Sequence, residues 1–200
     1  MSVSTAGRQH VQESSALGVK RAQRVVVLGV TGSGKTTTAA RAARFLSAKH
    51  VELDALYWGP NWTPVGIPVF RERVAEAIAD VACWVTDGGY ASHVWDITWK
   101  SADTILWLDY PLTFVMARLL RRSVRRMVSR ELLWSGNRES FRKQFLSGES
   151  LFVWALKTHG KYRRTYPAHF GRPELSHVQV VRARSSGAAA SWLRALEAAS

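Results

Sequence analysis

The stretch from Arg24 to Thr36, RVVVLGVTGSGKT, constrains this chain more than any bulk property does. A short β-branched run closed by glycine suits a strand buried on both faces, and such strands belong to parallel sheets. Gly29 to Thr36 then match GxxxxGK[ST], and residues 35 to about 47 have the alanine content and apolar spacing of a helix. Strand, glycine loop and helix in that order form the context in which this pattern holds phosphate. Gly29, Gly32 and Gly34 let the backbone curl so that successive N–H groups point inward at phosphate oxygens. The helix start adds unpaired N–H groups and a positive dipole end. Lys35 is expected to place its ammonium on the β- and γ-phosphates and Thr36 its hydroxyl on Mg²⁺, with Thr31, Ser33 and Thr37 completing the nucleotide contacts. The expected cofactors are ATP and Mg²⁺.

The rest of the chain repeats the alternation. Strands are expected at 51–54, 83–86, 103–108 and 177–181, besides 24–29. Helices are expected from Pro68 to about 81, from Pro111 to about 130 and over 188–199, with 131–170 helical but broken at Gly136, Gly148 and Gly160. A Gly-, Pro- and Trp-rich loop spans 57–68. This predicts an α/β fold, a five-stranded parallel sheet with helices on both faces, in one domain over 24–200 after a loose polar tail at 1–23. Two hundred residues, 46% of them hydrophobic, suffice for one core. The single cysteine, Cys83, excludes an internal disulfide, fits a reducing compartment and is expected to be buried between Ala82 and Trp84. No apolar stretch approaches the ~20 residues of a membrane span, and the first two dozen residues lack the apolar middle of a signal peptide. A cytoplasmic protein without a membrane partner is expected. The net charge of +13 points to anionic partners.

Mg²⁺ bound at such a loop also needs a carboxylate at the end of a neighbouring strand. Asp54, Asp87 and Asp109 each follow a predicted strand, and in a parallel sheet all three edges face the loop. Asp87, followed by Gly88-Gly89 and an exposed-looking Tyr90, is expected to be the magnesium-side acid. Asp109 is expected to cap the helix that Pro111 opens. Asp54 has three open roles: general base, magnesium-side acid or cap of the turn into Ala55-Leu56.

Basic residues concentrate at Arg118, Arg121, Arg122, Arg125, Arg126 and Arg130. Spacings of four align Arg122, Arg126 and Arg130 on one helix face, while Val115, Leu119, Val124, Met127 and Val128 supply a separate packing side. The run has no interleaved acids, and guanidinium groups grip phosphate in bidentate fashion, so a phosphate clamp is expected ahead of a solvated face or a DNA-binding groove. Trp58 and Trp62 lie where an acceptor could stack; Trp84, Trp107 and Trp154 are expected in the core. His159 and His169 lack partners at metal-ligand spacing.

The segments Leu53-Asp54-Ala55-Leu56-Tyr57-Trp58, Trp84-Val85-Thr86-Asp87-Gly88-Gly89-Tyr90, Ile105-Leu106-Trp107-Leu108-Asp109-Tyr110-Pro111, Arg130-Glu131-Leu132-Leu133-Trp134 and Gly136-Asn137-Arg138-Glu139 follow the phosphate loop in this order. Together with the closing Val180-Val181-Arg182-Ala183-Arg184-Ser185, they make the chain resemble the adenylate-kinase-like P-loop proteins labelled DNA topology modulation (FlaR-like), over about residues 24 to 195. The resemblance implies a nucleoside-monophosphate-kinase fold with an acceptor-binding region at about 47–81 and a helical lid at about 126–150. It also implies that Arg122, Arg126 and Arg130 reach the transferring phosphate and that Ser185, Ser186 and Gly187 sit by the adenine. The chain departs from the group at Gly89, where asparagine is usual, and lacks the Phe-Pro-Arg that follows Asp-Gly in adenylate kinases.

The expected activity is ATP-dependent transfer of a phosphoryl group to a small acceptor, a nucleotide or a hydroxyl compound, through Lys35, Asp54, Asp87, Arg122, Arg126 and Arg130. An acid at the end of the second strand also occurs in shikimate- and gluconate-type kinases and tilts the reading toward a hydroxyl. The alternative is a nucleic-acid-associated ATPase whose basic helix holds DNA or RNA, although no helix-turn-helix or RRM signature is present.

Overall fold

The structure, a computed structural model, describes residues 12–13, 22–129, 134–136 and 151–199. Strands β1 (Gln12–Glu13), β2 (Arg24–Gly29), β3 (Lys49–Glu52), β4 (Trp84–Asp87), β5 (Thr104–Leu108) and β6 (Gln179–Ala183) form one sheet in the order β1-β6-β5-β2-β4-β3. Every pairing is parallel. The five expected strands are all present, and the two-residue β1 adds a sixth at the edge beside β6. The helices are α1 (Lys35–Phe45), α2 (Leu53–Tyr57), α3 (Ile67–Ala79), α4 (Ala91–Thr98), α5 (Leu112–Ser129), α6 (Leu151–Phe170) and α7 (Ser186–Ala199).

Alternating side chains explain the layers. Val25 and Val27 of β2, Leu106 and Leu108 of β5, and Val181 and Ala183 of β6 bury against α1 and α7, with Trp192 inside. Val26, Leu28, Ile105, Trp107 and Val180 point the other way, onto Trp99 and the end of α6, where Tyr166 and Phe170 pack edge-to-face or tilted against Trp99 and Trp107. A third cluster joins Val51 and Leu53 to Phe70, Val74 and Val94 under α3 and α4.

Several boundaries differ from expectation for local reasons. β3 stops at Glu52, which lies opposite Asp87, the last residue of its partner strand. With no ladder beyond, Leu53 and Asp54 begin a short helix, so Asp54 sits in the first turn of α2 and not on a strand. β6 lies two residues later than 177–181 because Gln179 through Ala183 pair with Thr104 through Leu108. Helix α4 had no strong sequence signal, whereas α6 runs through Gly160 and Pro167, held by its docked aromatic residues. Cys83 is half-exposed, and Trp154 is exposed at 56% where a core position was expected. On α5, Val115 and Leu119 are fully buried, but Val124 and Val128 face outward, and the Met127 side chain lies outside the description. Among the described residues, no helix is long and apolar enough to cross a membrane.

Candidate active site at the sheet edge

β2 ends at Gly29, and the chain reverses over it into α1. Gly32 and Gly34 have φ of +83° and +89°, a left-handed backbone that only glycine takes without strain. A methyl group at Gly32 would lie 2.9 Å from the Val115 carbonyl oxygen, so α5 is packed directly on the loop. A methyl at Gly34 would lie 2.7 Å from the Arg118 guanidinium, whose carbon sits 5.5 Å from the Phe114 ring centre. Ser33 is buried, and its Oγ has no hydrogen-bond partner among the described residues. An unpaired buried hydroxyl beside a glycine-lined cradle is the residue chemistry a phosphate would complete.

Lys35 opens α1 half-buried, its Nζ 3.5 Å from the Val30 carbonyl oxygen. Burial draws its pKa below the ordinary lysine value; the charges of Asp54 and Asp87 oppose that shift and Arg122 adds to it. The four side chains therefore share one electrostatic neighbourhood, although they come from α1, α2, β4 and α5. Thr36 and Thr37 follow, both exposed.

Asp87 is buried at 3% exposure and pairs in register with Val27, two residues before the loop. His50 Nε2 of β3 lies 3.4 Å from Asp87 Oδ1. Burial pulls the His50 pKa down, yet the adjacent Asp87 carboxylate, aided by Glu52, leaves it above the ordinary histidine value. The Asp87 carboxylate and the Thr36 hydroxyl are oxygen donors of the type Mg²⁺ takes. Among the described residues, no three His, Cys, Asp or Glu side chains converge as a self-sufficient metal site.

Asp54 is held by a residue the sequence did not single out for it. Tyr90, expected to be exposed, is half-buried and donates from its hydroxyl to Asp54 Oδ1 at 2.5 Å. Burial, then the Asp54 charge, drives the Tyr90 pKa far up, so the phenol stays protonated and acts as donor. Its ring packs against Tyr57 at 4.7 Å and Phe70 at 5.0 Å between centres. Tyr162 of α6 approaches from the other side and donates to the Gly89 carbonyl oxygen at 3.5 Å. A methyl on Gly89 would lie 3.0 Å from the Tyr162 hydroxyl, so the tyrosine fills the space that a side chain at 89 would claim. Burial raises the Tyr162 pKa above the ordinary value, aided by the Asp54 charge and opposed by the Tyr166 hydroxyl.

The arginines of α5 divide between two faces. Arg122 donates to Thr31 Oγ1 on the loop at 3.3 Å, and Arg126, one turn on, is likewise half-buried. Arg118, Arg121 and Arg125 are exposed. Arg130 and most of the expected lid, 130–133 and 137–150, lie outside the described residues. Ser135, which is described, donates from Oγ to the Trp58 carbonyl oxygen at 2.8 Å.

Asp109 does not cap a helix. Its carboxylate accepts from Arg163 Nε of α6 at 2.6 Å and from Arg182 Nε of β6 at 2.9 Å, with a second contact to Arg182. Arg182 in turn lies 4.4 Å over the Trp107 ring. This pair of ion bridges to a buried carboxylate ties α6 to the ends of β5 and β6, and a further tie runs between His159 Nε2 and the Tyr110 carbonyl oxygen at 2.9 Å. After β6, Ser185 Oγ accepts from the Ala188 backbone N–H at 3.1 Å, which starts α7 earlier than expected and puts Gly187 in its first turn. Both residues are exposed at the same sheet edge as the loop.

A parallel sheet in this strand order, with the glycine loop and Lys35 at the end of its central strand, defines a P-loop kinase type of α/β fold. No family model and no curated protein sequence matches the chain. Solved structures do. A shikimate kinase from Bacteroides thetaiotaomicron aligns with 88% of this chain and 97% of its own at 15% identity and a TM-score of 0.52. A shikimate kinase from Acinetobacter baumannii in complex with shikimate aligns over 87% and 90% at 17% identity and 0.50. A gluconokinase from Sinorhizobium meliloti 1021 aligns over 88% and 90% at 17% identity and 0.50. At these identities the likeness is one of fold.

Proposed function

We propose that this protein transfers the γ-phosphoryl group of ATP to a small hydroxyl compound, in the cytoplasm. The observation that carries the reading is the Lys35 ammonium, 3.5 Å from the Val30 carbonyl oxygen of the loop and within electrostatic reach of Asp54, Asp87 and Arg122. Phosphoryl transfer demands positioning and charge neutralisation more than covalent chemistry. The loop N–H groups and Lys35 bind and orient the β- and γ-phosphates. Arg122 and Arg126 take up charge on the moving phosphoryl group, joined by Arg130 from the lid region at about 126–150. Bound Mg²⁺, held by Thr36 and Asp87, supplies further neutralisation of the triphosphate. Ser185 and Gly187 flank the base. Asp54, fixed on one oxygen by Tyr90, accepts the acceptor's proton on the other. A phosphate acceptor arrives ionised and needs no base, which is why Asp54 favours a hydroxyl.

The segment at about 47–81 receives the acceptor in this reading. Kinship with the adenylate-kinase-like FlaR group rests on the ordered segments quoted above, and the solved structures of like fold are kinases by name. The test is to incubate the chain with ATP, Mg²⁺ and a panel of alcohols and nucleoside monophosphates, following ADP release and a new phosphomonoester. Lys35→Ala should abolish turnover while keeping the melting temperature, since Lys35 faces ligand and not core. Full turnover in a folded Lys35→Ala variant would refute the assignment of the loop.

A further inference from the structure

Asp87 ends β4, and the register places it opposite Glu52, the last residue of β3. His50 lies two residues before Glu52, opposite Val85. Residues two apart on a strand share a face, and so do residues paired across strands. Val85 packs with Ala39, Ala42 and Ala43 of α1. His50, Glu52 and Asp87 are therefore on the α1 side of the sheet, under the helix that Lys35 opens. The alternate residues of that edge, Val51 and Leu53, pack the other way with Phe70 and Val74.

Packing alone does not account for a histidine here. The His50 side chain is 19% exposed and that of Asp87 is 4% exposed. His50 Nε2 is shielded from solvent and closes no hydrogen bond among the described residues, while Asp87 Oδ1 stands 3.4 Å away, within ion-pair distance. A buried polar nitrogen in that state calls for an explanation. Two are available. Carboxylates paired across neighbouring strands repel each other, so His50 could serve the fold by relieving Glu52 and Asp87. Alternatively, it serves the site by holding one acid in place. The contact falls on Asp87, the carboxylate nearer the phosphate loop in the sheet, through the pairing of Asp87 with Val27.

We infer that His50 is a positioning residue for the magnesium-side carboxylate: by engaging Oδ1 it fixes the plane of Asp87 and leaves Oδ2 to a bound Mg²⁺. This rests on the assignment of Asp87 in the phosphotransfer reading above. The last torsion of an aspartate side chain is broad, so a carboxylate without a partner spends part of its time turned away from a ligand. Partners one layer behind a metal ligand remove that freedom, and their loss typically costs about 10–100-fold in metal affinity or activity.

The experiment is calorimetric titration of the full chain with ATP, without metal and then across a range of Mg²⁺, and it needs no acceptor. His50→Phe keeps a ring and removes both nitrogens. Its affinity for Mg²⁺ in the ATP-loaded state should fall by about tenfold or more, with affinity for metal-free ATP unchanged. His50→Gln can still donate to Oδ1 and should recover most of the loss. If His50→Phe does not fold, His50→Val, smaller and suited to a strand, carries the same measurement. A lower melting temperature with wild-type Mg²⁺ affinity would assign His50 to the fold and overturn the inference, as would equal losses in His50→Phe and His50→Gln. Asp87→Asn separates the two levels. Weakened Mg²⁺ binding in Asp87→Asn with none in His50→Phe overturns the inference alone; wild-type Mg²⁺ affinity in Asp87→Asn removes the assignment on which it rests.

Discussion

Replacing Tyr90 with Phe removes one hydroxyl and leaves the ring in its packing against Tyr57 and Phe70. The lost contact is the 2.5 Å bond to Asp54 Oδ1. A hydrogen bond to a charged group contributes roughly 1.5–3 kcal/mol. Tyr90 and Asp54 are only half-buried, which favours the lower figure and corresponds to about tenfold in rate if the bond serves to aim the carboxylate. Initial rates from coupled ADP release, on whichever alcohol proves to be an acceptor, should show kcat down by about tenfold with KM for ATP unchanged. Asp54→Asn alone should cost on the order of 10² in kcat. The double variant is the sharper measurement. A hydroxyl that acts only through Asp54 has nothing left to act on in Asp54→Asn, so the pair should stay near 10² and not approach about 10³. Multiplying effects, or wild-type kcat in Tyr90→Phe, would show that the bond does not serve catalysis.

Two further outcomes test the neighbouring elements. Arg126→Ala should lower kcat more than it weakens ATP binding, whereas Arg121→Ala, on the exposed face of α5, should change neither; intact turnover in Arg126→Ala with weakened, less salt-dependent DNA binding would favour a nucleic-acid role. Gly89→Ala should cost about 1 kcal/mol by crowding the Tyr162 hydroxyl, read as a melting temperature lower by about 2–4 °C, and Gly89→Ala with Tyr162→Phe should recover it; no recovery would place the strain elsewhere.

The five-strand frame was legible because each central strand is buried on both faces and so appears as an unbroken apolar run, as in Val25-Val26-Val27-Leu28. The loop was legible because its glycines serve one local geometry. What the sequence concealed was nonlocal. Tyr90 meets Asp54 across 36 positions, and Tyr162 meets Gly89 across 73. Neither spacing leaves a periodic trace, although a tyrosine three residues past a strand-end acid has a polar tip that must find a partner once its ring is packed. Asp109 misled for a different reason. Followed by Tyr110-Pro111 it has the local look of a cap, while its actual partners, Arg163 and Arg182, arrive from the last third of the chain. Helix α6 was cut short on paper because Gly160 carries a local penalty that docking of Tyr166 and Phe170 outweighs.

The bulk charge of +13 did not choose between a nucleotide and a nucleic-acid partner, and its distribution explains why. Some arginines are engaged by acids: Arg71 pairs with Asp96, and Arg163 and Arg182 share Asp109. A second set, Arg122 with Lys35, surrounds the loop, where burial and mutual repulsion depress the Lys35 pKa and an incoming anion relieves both. A third set, Arg121 and Arg125, remains exposed on α5. A polyanion such as ATP docks on the second set, whereas an extended nucleic acid would also use the third, so substitutions at Arg121 and Arg125 separate the two partners by the salt dependence of binding.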